Sequence, residues 1–221
     1  MTAEELVNHM MPALRPTDTA GTALSWMEEY RCGQLPVVDG ERFKGFIMEE
    51  TLREANDNSI PVGELNLTGE QCIVAADAHL FEVLRMASEN KLQVVAVEND
   101  LRLYSGVITV SDTISFFAQT AAVQMPGSIL VLSMELVNYS LTEISRLVEE
   151  NKARVISSMV SEDPLDNSRI RLTLKIDQTD LSRIVATLER FDYKVIARYQ
   201  ESRPPELDRD RFDLFMRYLN I

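Results

Sequence analysis

Histidine, cysteine and basic residues are scarce in this chain, and each shortage narrows what it can do. His9 and His79 are the only histidines and stand at unrelated positions. No P-loop, G-x-S-x-G, H-E-x-x-H or other ligand-spaced cluster accompanies them, which speaks against a catalytic centre and against a metal site. Cys32 and Cys72 are the only cysteines, without C-x-x-C or framework spacing. A disulfide scaffold is therefore not expected, and a reducing cytoplasm is. No apolar run approaches the roughly 20 residues that span a bilayer. The opening "MTAEELVNHM" has neither the basic stretch nor the apolar core of a signal peptide. Lys and Arg number 22 against 35 Asp and Glu, a formal net charge of −13. The deficit is uneven: residues 1–121 hold 19 acids and 8 bases, and residues 122–221 hold 16 and 14. Such a surface repels nucleic-acid backbones and anionic membranes, so neither is an expected partner.

What is present is 45% hydrophobic and 26% charged, the profile of a folded protein, over 221 residues, enough for two ordinary domains. The first half repeats itself. "DTAGTALSWMEEYRCGQLPVVDGERFKGFI" (18–47) lies over "DAHLFEVLRMASENKLQVVAVENDLRLYSGVI" (77–108). At an offset of 59, Asp18 meets Asp77, Met27 meets Met86, Gln34 meets Gln93 and Val38 meets Val97. Two extra residues in the second turn then bring Gly45 opposite Gly106. Each copy reads as an amphipathic helix, an apolar strand, a turn, a second strand and a helix. Gly33 is placed to end the first helix in a left-handed cap. A unit of about 60 residues cannot cover both faces of its sheet, but two packed together can.

"TAAVQMPG" (120–127) breaks the periodicity and reads as a linker, and no glycine occurs after Gly127. Beyond it, "SILVLSMEL" is a strand, and "SLTEISRLVEEN" a helix opened by a Ser140/Glu143 capping box. "RVISSMVS" and "RIRLTLKI" are strands around the turn "EDPLDNS", "TDLSRIVATLERF" is a helix and "YKVIARY" a strand. The order βαββαβ is the ferredoxin-like arrangement. Phe212, Phe215, Met216 and Leu219 then fall at helical spacing, predicting a short apolar-striped helix that packs on its own chain or on a dimer partner.

The duplicated "QLPVVD…KGFI" and "QVVAVE…SGVITVSD" resemble a CBS-domain pair, or Bateman module, and the βαββαβ part resembles an ACT domain. The whole chain is similar to bacterial CBS–ACT proteins of the acetoin-utilisation-B type, although nothing in the residues supports acetoin chemistry. The resemblance implies an α+β fold: a tandem CBS (βαββα-type) pair, a ferredoxin-like βαββαβ ACT domain and a short C-terminal helix. The boundaries expected are a first CBS motif at 1–59, a second at 60–120, a linker at 121–127, an ACT-like domain at 128–200 and a tail at 201–221. It further implies a cytoplasmic, non-catalytic regulatory homodimer that needs no cofactor. Its expected ligand is AMP, ADP, ATP or S-adenosylmethionine.

The family pattern Gly–apolar–apolar–Thr/Ser–x–x–Asp falls on Gly106, Thr109 and Asp112. Gly106 lets the backbone approach a ligand closely. Thr109 offers a hydroxyl, and the Asp112 carboxylate can accept from both ribose hydroxyls. The competing reading is that Asp112 or Ser111 merely caps the following helix. By family position, Ile73, Val74 and Val95 are the adenine wall. The first copy departs from the pattern, with Met48 in place of Thr and Thr51 in place of Asp, so at most one good site per chain is expected. Arg15, Arg53 and Arg85 are the candidate phosphate partners, and so weakly basic a site favours a monophosphate or adenosyl compound over a triphosphate. Two further readings stand beside this one: an amino-acid sensor acting through the ACT-like "ELVNYSL" loop near Asn138, and an assembly module whose ligand site has decayed.

Overall fold

A continuous buried run in "QLPVVD" and the buried "GFI" of "RFKGFIM" form the first hairpin, β1 (Gln34–Asp39) antiparallel to β2 (Arg42–Met48). The computed structural model describes residues 1–200, so the apolar stripe expected at 212–219 lies outside the described residues. The chain divides into two units, Met1–Ala118 and a second beginning at Gln119. Among the described residues, no helix is long and apolar enough to cross a membrane.

In the first unit, α1 (Ala20–Tyr30) precedes the hairpin and α2 (Glu49–Ala55) follows it. The second copy repeats this plan with β3 (Ile73–Ala75), α3 (Leu80–Asn90), β4 (Val94–Glu98), β5 (Tyr104–Thr109) and α4 (Val110–Ala118). The spatial repeat is longer than the offset of 59 expected from sequence. Helices α1 and α3 start at Ala20 and Leu80, and Val37 and Val97 stand opposite Gly45 and Gly106, an offset of 60 that becomes 61 after the turn. The helix ends also differ from expectation. Arg31 (φ 51°) and Lys91 (φ 53°), not Gly33, take the left-handed conformation that ends α1 and α3. Left-handed backbone is unfavourable for a side-chain-bearing residue, but a cation at a helix C-terminus is favoured by the dipole.

Each copy receives a segment from before the other. Residues ahead of the first copy hydrogen-bond to the second, with Ala3 N–H donating to Ala78 O at 2.8 Å and Asn8 N–H to Val107 O at 2.7 Å. Residues ahead of the second copy do the same to the first, Val62 N–H donating to Asp18 O at 2.8 Å and Phe46 and Thr68 exchanging bonds of 2.7 and 2.9 Å. The glycines make this crossing possible. A Cβ on Gly45 (φ +130°) would sit 2.9 Å from Thr68 O, and one on Gly106 (φ +151°) 2.5 Å from Val7 Cγ1. Side-chain alternation along β4 then serves two cores. Val94 and Ala96 join Leu35, Val37 and Phe46 of the first copy, while Val95 and Val97 pack with Val74, Leu80, Val83 and Ile108 of the second.

In the second unit, α5 (Ala121–Gln124) is a one-turn helix inside the stretch read as a linker. There follow β6 (Ser128–Glu135), α6 (Leu141–Glu150), β7 (Val155–Asp163), β8 (Asp166–Ile176), α7 (Ser182–Arg190) and β9 (Lys194–Tyr199). The sheet order is β7-β8-β6-β9, antiparallel throughout. Leu130, Leu132, Leu172 and Leu174 on one sheet face close a core with Ile144, Leu147, Ile184 and Leu188 of the helices. Ser140 Oγ accepts from Glu143 N–H at 3.3 Å, but the Glu143 carboxylate accepts from Tyr193 O–H at 2.5 Å. The expected capping box is therefore half formed.

Candidate functional site

Strand β5 must hand over to helix α4 at Thr109, and a helix start needs an acceptor for its free N–H groups. Thr109 Oγ1 supplies it, accepting from Asp112 N–H at 2.9 Å. The cap is thus neither Ser111 nor Asp112. The junction is fixed from two more sides: Val110 N–H donates to Gln93 O at 2.9 Å, and the Thr113 hydroxyl donates to Val110 O at 2.6 Å. With the cap supplied by Thr109, the carboxylate of Asp112 is left half-buried. Its hydrogen-bond partner is Asn8, whose Nδ2 donates to Oδ2 at 3.3 Å. Asn8 is itself held in place, with its Oδ1 accepting from Met10 N–H at 2.9 Å.

Thr109 and Asp112 line a cavity of about 500 Å³ to which both copies contribute. Asn8 and Met11 come from the N-terminal segment, Tyr30, Arg31 and Cys32 from the end of α1, and Leu92, Gln93 and Val94 from the start of β4. A glutamine pair fastens its floor across the two copies. Gly33 N–H donates to Gln93 Oε1 at 2.8 Å, Gln93 N–H to Gln34 Oε1 at 2.7 Å, and Gln34 Nε2 to Val94 O at 3.2 Å. Burial pushes the Cys32 thiol pKa above its ordinary value, although Sγ donates to Gln34 O at 3.1 Å. Burial therefore disfavours the thiolate.

Of the residues expected at the site, the structure brings Thr109 and Asp112 together and leaves four elsewhere. Val74 and Val95 are buried in the core of the second copy, and Ile73 packs against the shared core. Gly106 admits Val7 of its own chain, so its missing side chain is explained by the crossing segment. The apolar side chains that line the cavity are Met11, Tyr30, Leu92, Val94 and Val110. The expected bases are also elsewhere: Arg53 pairs with Glu49 (2.8 and 2.5 Å) and Arg85 lies 3.9 Å from Glu89 one turn on. Neither these two nor Arg15 lines the cavity, whereas Arg31 does.

At the corresponding junction of the first copy, Met48 is the residue before α2 and makes no side-chain cap. Thr51 takes the place of Asp112. A second cavity, of about 610 Å³, borders this copy and is lined by Glu28, Glu49 and Arg53 among others, with neither Met48 nor Thr51. In the second unit a cavity of about 630 Å³ lies at the β6–α6 loop, lined by Asn138, Ser140, Glu143, Arg169 and Tyr193. Arg169 is engaged there, its Nε donating to Ser133 Oγ at 3.0 Å. Burial and the bond to Glu143 push the Tyr193 hydroxyl up to about 12. Among the described residues no His, Cys, Asp and Glu cluster is arranged to hold a metal ion.

Comparison with known proteins bears on the fold. The CBS-domain family model matches residues 3–58. An inosine-5′-monophosphate dehydrogenase of Methanocaldococcus jannaschii is 28% identical over 111 residues, half of this chain but only 22% of that enzyme, so the chain spans about a fifth of its relative. A CBS domain pair/ACT domain protein from Thermotoga maritima superposes with a TM-score of 0.50 at 18% identity, covering 54% of this chain and 98% of that one. A further protein of Methanocaldococcus jannaschii gives a TM-score of 0.50 at 18% identity over 57% of this chain and 62% of its own. Residues 3–58 thus match the CBS-domain model, and the duplicated N-terminal unit has the fold of a CBS-domain pair.

Proposed function

We propose that this chain is a non-catalytic regulatory protein that senses an adenine nucleotide or adenosyl compound in the cavity between its two CBS repeats. CBS domains are in general regulatory modules that bind adenosyl ligands, and the reading for this chain rests on one observation. Thr109 caps α4, which leaves the Asp112 carboxylate facing a cavity of about 500 Å³ with an amide as its partner. An ionised carboxylate in that position accepts from both hydroxyls of a ribose, and the Thr109 hydroxyl keeps its own proton to donate. Two charge-assisted bonds contribute roughly 3–6 kcal/mol, short of the about 8.2 kcal/mol of micromolar affinity. Met11, Tyr30, Leu92 and Val94 supply the remainder by walling the base. The second unit acts in dimerisation or signal transmission. Its βαββαβ order and β7-β8-β6-β9 sheet support an ACT-like assignment.

A second reading, amino-acid sensing by that unit, draws support from the cavity beside Asn138 and Tyr193. Calorimetry with AMP, ATP, S-adenosylmethionine and amino acids separates the two. We expect an adenosyl ligand to bind at micromolar concentration and to be lost in Asp112→Ala, with the melting temperature of the ligand-free protein little changed. Adenosyl binding that survives Asp112→Ala would overturn the site, and binding of amino acids alone would favour the second reading.

A further inference from the structure

Resting on the reading just given, we propose that Arg31 of the first repeat is the anion partner of a ligand clamped by the second repeat, and that the ligand carries one phosphate. Among the described residues Arg31 is the only basic one, and Asp112 the only acidic one, lining the cavity, and Arg31 also borders the cavity of about 610 Å³ beside the first copy. The guanidinium is available. Among the described residues it takes part in no ion pair, whereas Arg53, Arg85, Arg146 and Arg171 are each within reach of a carboxylate. Its backbone is held by the end of α1, the Arg31 N–H donating to Glu28 O at 3.3 Å, and its left-handed φ of 51° sets it apart from the helix it terminates.

The charges assign the ends of the ligand. A carboxylate suits hydroxyls and repels phosphate, so Asp112 takes the ribose and Arg31 takes the group beyond it. A planar guanidinium can grip one phosphate with two parallel hydrogen bonds. Among the described residues no second cation lines the cavity for further phosphates, and the first 121 residues carry 19 acids against 8 bases. A monophosphate is therefore favoured over a triphosphate. The assignment also makes the site a composite: the clamp belongs to the second copy and the cation to the first, so the ligand ties the two repeats together.

The test is the affinity for AMP relative to adenosine, measured by calorimetry on the whole chain, with ATP as a third ligand. In Arg31→Gln we expect AMP binding to weaken about 10- to 50-fold while adenosine binding changes less than about twofold. We also expect the salt dependence of AMP binding to flatten. Arg31→Gly is the second variant, since glycine accepts left-handed backbone without strain, and it should reproduce the effect with undiminished stability. An AMP-to-adenosine ratio unchanged in both variants, or tighter binding of ATP than of AMP to the unaltered protein, overturns the inference. If Asp112→Ala abolishes binding while the Arg31 ratio holds constant, this inference alone falls. If the unaltered protein binds none of the three ligands, the ribose-clamp reading falls with it.

Discussion

The two CBS repeats build the same strand-to-helix junction on the same backbone plan and equip it differently. In both, the first residue of the helix donates its N–H to the residue that precedes the repeat's first hairpin strand: Glu49 to Gly33 O and Val110 to Gln93 O, each at 2.9 Å. In both, a glycine in the left-handed region lets a crossing segment of the chain approach. Yet the second junction carries Thr109 and Asp112 where the first carries Met48 and Thr51. A thioether neither caps a helix nor donates to a ligand, and α2 starts without a side-chain cap while α4 has one. The glycines and apolar residues belong to the fold, because both copies need them. The polar pair is not repeated, which supports the proposal that the site lies in the second copy.

Substitutions can break this comparison at several strengths. The largest effect is expected where the copies share a core. Phe46 is fully buried with Val94, Ala96 and Val107, 4.8 Å from the ring of Phe43. Phe46→Ala should cost about 3–5 kcal/mol in denaturant unfolding, and a loss below about 1 kcal/mol would mean that the repeats do not share that core. Next, Asp112→Ala should weaken adenosyl binding on the order of 100-fold or more, whereas Thr51→Ala should leave it unchanged in the same titration. The glycines should then rank by what they touch. Gly45→Ala meets a backbone oxygen and Gly106→Ala the tip of a valine that can rotate away. Both should lower stability by about 1–3 kcal/mol, Gly45→Ala by more, as read from denaturation midpoints. The smallest effect is at the cap. Thr109→Ala should destabilise by about 0.5–2 kcal/mol by uncapping α4, as read from paired thermal melts of the variant and the unaltered protein.

The strands and helices around "QLPVVD", "GVIT" and the second unit were legible because their periodicity follows directly from burial. Thr109 and Asp112 stand out as a hydroxyl and a carboxylate at the end of an apolar run, but the residues alone left a helix cap and a ligand contact equally open, and it is the CBS resemblance that singles them out. The apolar lining of the cavity was not legible. "VVAV" is apolar at every position, so nothing local says that Val94 faces the cavity and Val95 the core. That choice is set by the parallel pairing of β3 with β4 and by the first copy packed against the other face. Arg31 was hidden for a related reason: Gly33 seemed the natural helix terminator, and the left-handed turn falls two residues earlier on an arginine. The approach of residues 3–8 to the second copy is a pairing of distant segments with no signature in periodicity. It accounts for Gly106, which on sequence alone reads as room for a ligand.

The central claim is that the second copy holds a ribose clamp and the first does not. Its most direct test is the stoichiometry of AMP and adenosine binding by calorimetry, on the unaltered chain and on Asp112→Ala. The account predicts one site per chain, reduced to none by the substitution. Two sites per chain, or one site undiminished in Asp112→Ala, would contradict it.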